Sequence, residues 1–115
     1  MKLSDAVGAR SALEKMAGSE MDTASALKFA TFVRDVLIEI QSFEMKRAEL
    51  FQKYGVAEGE GESKNIKILP ENEKKFNAAI KRALNKEIKI KPFDLTSINI
   101  AVKPTELINA LPLFK

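Results

Sequence analysis

Between residues 23 and 54 apolar side chains recur at alternating steps of four and three: Phe29, Val33, Val36, Ile40, Phe43, Leu50 and Tyr54, with Arg47 in the one slot of the series that is not apolar. That period predicts an amphipathic helix. Asp22 or Thr23 caps its start, no Gly or Pro interrupts it, and Gly55 ends it, which sets the helix at about 23–54. Leu27, Ala30, Leu37, Ala48 and Phe51 lie on adjoining turns and widen the apolar surface. At 1.5 Å per residue such a helix is about 48 Å long, more than a compact domain with a radius of gyration of about 13 Å encloses. Two short flanking helices are too small to cover it, so Phe29, Val33, Val36, Ile40, Phe43, Leu50 and Tyr54 are expected to form a homo-oligomer interface, with Arg47 setting register or snorkelling out of it. The competing expectation is a core helix within one chain.

Ahead of it, Leu3, Val7, Leu13 and Met16 give an apolar side to a helix over 4–17, with Ser4 as its cap, Asp5 near the positive end of the dipole and Gly18 as a left-handed stop. The two make an N-terminal helical hairpin. After the long helix, GVAEGEGES predicts a mobile acidic turn over 56–64, and in NIKIL (65–69) Ile66 and Ile68 alternate with polar residues at the period of a half-buried strand. Pro70 opens a third helix, about 70–86, with Phe76, Ala79, Ile80, Ala83 and Leu84 on its inner side. EIKIKPFDL and SINIAV repeat the two-residue alternation at Ile88, Ile90, Ile98 and Ile100, with Pro92 confining the first to an edge. A short last helix opens at Lys103–Pro104, buries Leu107, Ile108 and Leu111, and closes at Pro112. The fold class expected is α+β: a helical hairpin, then a small antiparallel sheet mixed with the third and last helices, in a single domain over 1–115.

Composition narrows the chemistry. The chain has 115 residues, no Cys and no His, which removes disulfides, thiolate chemistry, the commonest metal ligand and the commonest general base. No apolar run approaches the ~20 residues of a membrane span and the N-terminus lacks a secretory pattern, so the expected location is cytoplasmic. The net charge of +3 is unevenly placed: residues 1–60 hold 8 Lys/Arg against 10 Asp/Glu, and residues 61–115 hold 11 against 6. Lys74, Lys75, Lys81, Arg82 and Lys86 on the third helix, then Lys89 and Lys91 after it, are therefore the candidate contacts for an anionic ligand or an acidic protein surface. Nucleic acid is a weaker fit, because stacking needs exposed aromatics and the nearby Phe76 and Phe93 sit at core positions.

The glycines of the turn invite a phosphate reading, which the residues refuse. Gly59 and Gly61 alternate with Glu58, Glu60 and Glu62, whose carboxylates repel phosphate, and a strand follows where a phosphate loop needs a helix. The spacing does not match a calcium loop either. No acid pair or nucleophile is singled out, and no catalytic residue, metal site or cofactor is expected.

The order of a long helix ending FQKYG, a polar glycine turn, NIKILPENEKKFNAAIKRAL, a lysine-rich segment and a closing KPTELINALPLF resembles a family of small phage and prophage proteins of Gram-positive bacteria, a domain of unknown function. The resemblance spans nearly the whole chain. Tyr54 and Gly55 match an aromatic-glycine pair after the long helix and Phe76 a landmark of the third, while Lys103 departs from the capping Ser or Thr. What the resemblance implies is a non-enzymatic phage accessory protein of the host cytoplasm, acting against host defence: an oligomer that sequesters an anionic nucleotide-type immune signal or blocks a defence protein. A structural or assembly role through an exposed helix face is the alternative, and nucleic-acid binding a distant third.

Overall fold

A computed structural model describes residues 1–58 and 65–115. Helix α1 runs Leu3–Ala17, α2 runs Thr23–Tyr54, strands β1 (Gly55–Glu58) and β2 (Asn65–Ile68) follow, then α3 (Pro70–Leu84), a 3-10 turn at Leu95–Ser97, and α4 (Pro104–Leu107) continued by a 3-10 helix over Ile108–Leu113. The fold is mostly helical. Among the described residues its β-structure is one antiparallel strand pair, with Gly55 opposite Ile68 and Glu58 opposite Asn65.

The expected small sheet is thus corrected to a lone hairpin. EIKIKPFDL and SINIAV are not strands; they are extended chain laid against helices. The first meets the N-terminus through Leu3 N–H donating to Lys86 O at 2.8 Å and Ile88 N–H donating to Met1 O at 3.0 Å. Phe93 then meets the C-terminus, donating to Leu113 O at 2.8 Å and accepting from Lys115 N–H at 3.0 Å. The alternation of apolar residues was real, since Ile88 and Ile98 are buried and Ile90 and Ile100 half-buried. It reflects a backbone with one side on the core, and such a backbone needs no ladder partner. The acidic turn expected over 56–64 is also revised: residues 56–58 belong to β1, and 59–64 lie outside the described residues.

Helix α2 spans 32 residues within the predicted bounds. Its cap is Asp22, whose carboxylate accepts the Ser25 N–H at 3.2 Å and the Ser25 hydroxyl at 2.6 Å. Helix α1 starts at Leu3, not at a Ser4 cap: the Asp5 carboxylate reaches back to accept the Lys2 N–H at 3.0 Å, one half of a capping box. Gly18 does not use its left-handed freedom, having φ −81°. Lys103 and Glu106 repeat the acid-reaches-back arrangement at α4, with N–H and carboxylate 3.5 Å apart.

The last helix corrects another expectation. Leu107 is half-buried, but Ile108 and Leu111 are 61% and 59% exposed, while Ala110 and Leu113 are fully buried. The cause is a change of period: from Ile108 the chain winds as a 3-10 helix with three residues per turn, so Leu107, Ala110 and Leu113 align on one face. Pro112 lies inside that helix and does not close it.

The core sits where α1, the first two-thirds of α2 and the C-terminal segment meet, gathering Leu3, Leu13, Met16, Phe29, Val36, Ile40 and Leu113. Phe93 packs its ring 5.7 Å from Phe29 and 5.0 Å from Phe32. The molecule is elongated, with a radius of gyration of 17.6 Å and extents of 50 × 30 × 23 Å, and its long axis matches the ~48 Å length of α2. No helix among the described residues is long and apolar enough to cross a membrane.

Candidate binding groove

The residues expected to face a second copy are taken up by the chain itself. Phe29, Val33, Val36, Ile40, Phe43 and Leu50 are all buried, and Tyr54 is half-buried. The two short helices do not cover α2 alone: Ile88, Phe93, Ile98, Ala110 and Leu113 from the C-terminal segment join Phe29, Val33, Val36, Ile40 and Phe43 in one core cluster. Arg47 is exposed, with its guanidinium 5.4 Å from the centre of the Phe51 ring, a cation–π contact within one helix.

The basic residues do not form one face. Lys74, Lys75 and Lys81 stand exposed on α3 and line neither the α2–α3 groove nor the cleft beside Lys89. Lys89 and Lys91 border a cleft of about 500 Å³ nearer the start of α2, where Lys28 joins them and Asp35 and Glu39 offset their charge; Glu39 also lines the groove described next. Arg82 and Lys86 reach a third place, a groove of about 610 Å³ between α2 and α3.

That groove follows from how α3 returns along α2. The β1–β2 hairpin reverses the chain, and the return is pinned where the Asn72 amide donates to Tyr54 O at 3.3 Å and where the Phe76 ring lies 4.8 Å from that of Phe51. Farther along α3, the small Ala79 and Ala83, four residues apart, replace Phe76 as wall residues, so the two helices leave a trough between them. Its floor is apolar, made by Phe43 and Leu50 of α2 and Leu3 of α1. Lys46 and Lys53 rise from the α2 wall; Arg82 and Lys86 rise from the α3 side.

Among the described residues four cations share the groove with one carboxylate, that of Glu39 at its N-terminal end along α2. Among the described residues none of the four is ion-paired; the ion pairs engage Glu87, Arg10 with Glu14 and Glu44, and Arg34 with Asp35. Lys53 instead lies over the Tyr54 ring at 5.1 Å. The hydroxyl of Ser42 is one turn from Glu39 with no hydrogen bond between them, so the groove presents positive charge over an apolar floor and no assembled nucleophile and base. Its chemistry is that of holding an anion with an apolar side.

Sequence reasoning found Arg82 and Lys86 and missed Lys46, Lys53, Glu39 and Ser42. A signal was present: Lys46 and Lys53 are seven apart, each three residues after a floor residue, Phe43 and Leu50, so both must flank the same edge of the apolar stripe. Both lysines lie in the acidic half of the chain, where the net charge masks them. No protein-family model, no curated protein and no solved structure matches the chain.

Proposed function

We propose that this chain is a non-enzymatic binding protein, a phage accessory factor of the host cytoplasm that acts against host defence by holding an anionic partner in the α2–α3 groove. The partner is a nucleotide-type immune signal or the acidic surface of a defence protein. One observation carries the reading: Lys46, Lys53, Arg82 and Lys86 line both sides of an apolar-floored groove without carboxylate partners among the described residues. Unpaired cations beside apolar surface gain most from an anion that also removes that surface from water. A thermal-shift panel of cyclic nucleotides, ADP-ribose derivatives and acidic peptides tests it, with the Lys46→Glu/Arg82→Glu variant as the control. A ligand present at 100 times its Kd adds about 2.7 kcal/mol to stability. The expected result is stabilisation of the parent by at least one class of anion and none of the variant; equal shifts in both proteins would remove the groove from consideration.

A second reading, assembly through an exposed helix face, has its own support. Leu27, Ile38 and Met45 are 66%, 52% and 68% exposed. At about 100° per residue they fall on one line of α2, on the side opposite the buried Val36. This line, and not the buried core positions, is the part of the long helix open to a second copy. Sedimentation of the parent against Ile38→Lys/Met45→Lys measures it: a shift from oligomer to monomer supports the assembly reading, and a parent that is monomeric at micromolar concentration removes it.

A further inference from the structure

Resting on the groove reading above, we infer that the occupant of the α2–α3 groove is an acidic amphipathic helix of a partner protein, seated as a third helix on the α2–α3 pair. Four features of the site point to a helix. Along α2 the groove extends from Glu39 to Tyr54, about 22 Å or four helical turns, long for a compact ligand and natural for a short helix. The wall residues Ala79 and Ala83 are small and one turn apart, which lets another backbone approach α3 closely. The floor residues Phe43 and Leu50 show only their edges to the trough, being 8% and 6% exposed, and they are seven apart, the repeat that a second helix's apolar positions follow. Lys46 and Lys53 share that spacing, about 10.5 Å along the axis, so carboxylates seven apart on a helix lying alongside meet both.

The charge distribution decides between an acidic helix and a nucleotide. A compact phosphate group is met by converging donors, above all by free N–H groups at a helix N-terminus or in a glycine loop. Here the cations are spread along the trough on both of its sides. The backbone of the α2 wall lies inside a continuous helix, its N–H groups already bonded, and Lys86 follows the C-terminal end of α3, whose dipole is negative. The groove also offers no free aromatic face: Phe43 is 8% exposed and the Tyr54 ring lies beneath Lys53. Dispersed lysines over an apolar strip complement a helix with leucine-type residues on one stripe and Glu or Asp on its flanks.

Fluorescence anisotropy with three labelled peptides of about 18 residues, or five turns, tests this. The first carries Leu at alternating three- and four-residue steps with Glu on both flanks; the second replaces every Glu by Lys; the third scrambles the first. The full chain is expected to bind the acidic peptide at least tenfold more tightly than either twin, with affinity falling as salt rises. Lys46→Glu/Arg82→Glu is expected to reverse the preference toward the Lys peptide. Ala79→Leu, which fills the trough and leaves every charge in place, is expected to weaken the acidic peptide at least tenfold. Circular dichroism confirms that each variant keeps its helix content. Equal affinity for acidic and basic twins, or a preference that survives charge reversal, overturns the inference. Nucleotide binding in the thermal-shift panel without peptide binding overturns the helix alone and leaves the groove reading standing. Failure of both classes overturns both.

Discussion

Ser25 is the one buried polar side chain among the described residues, and it works in two directions. Its hydroxyl donates to the Asp22 carboxylate at 2.6 Å and accepts the Asn99 N–H at 3.0 Å, joining the cap of α2 to the extended segment 74 residues away in sequence. Ser25→Ala leaves the Asn99 N–H without its acceptor in a half-buried site, and an expected loss of about 1–3 kcal/mol can be read from urea unfolding. The same hydroxyl, and then the Ser25 N–H, hold the Asp22 carboxyl below the ordinary carboxylate range. Because the folded value is depressed, the stabilisation is present above the unfolded-state range and disappears as pH falls through the folded value. Urea midpoints followed from neutral to acid pH should therefore fall less steeply in Asp22→Asn than in the parent. Asp94 adds to the parent's acid sensitivity by the same means, its carboxyl held low by the Thr96 hydroxyl and N–H, and this part persists in the variant. Asp22 was legible in sequence as a cap; its link to Asn99 was not, since nothing local pairs residues so far apart.

Among the elements, α2 was readable almost to the residue, because a stripe of seven apolar positions free of Gly and Pro admits one local structure. The C-terminal segments were not. A two-residue alternation is satisfied by any extended chain with one side on a core, and only the presence of a neighbouring strand makes it a sheet. The last helix failed for a different reason: the period changes from 3.6 to 3.0 within four residues, and a helix that short carries no repeat from which to detect the change. Leu111 and Leu113 test this directly. Leu113 is fully buried and Leu111 is 59% exposed, so Leu113→Ala is expected to cost about 2–5 kcal/mol and Leu111→Ala less than about 0.5. Similar losses at both positions in chemical denaturation would put the winding of this segment in error.

At the scale of the molecule, the length of α2 sets the shape. Its first two-thirds are wrapped by α1 and the C-terminal segment, whereas its last turns carry Leu50 and Phe51, with Phe76 of α3 against them, outside the main core cluster. Regions with fewer buried contacts open at lower free energy than the core. Hydrogen exchange is therefore expected to show weaker protection for amides 48–54 than for 33–43 within one continuous helix. Uniform protection along α2 would mean that α3 and the hairpin fold as one unit with the core. The groove lies across this boundary, so an occupant bridging Lys46 and Lys53 should raise the protection of amides 48–54.

The sequence by itself determined the helices with long, uninterrupted periods, the basic surplus of the C-terminal half and the absence of thiol and imidazole chemistry, because each is a property of residue type and local spacing. Which apolar faces were covered, and by what, was decided only in three dimensions. Phe93 packs on Phe29 and Phe32 from far along the chain, Leu113 joins the same cluster, and that choice turned an expected interface into a core. The groove was decided in the same way. Two lysines from the acidic half meet an arginine and a lysine from the basic half because the hairpin turns α3 back along α2, and charge that is separate in sequence becomes a single field once it lines the two sides of one groove.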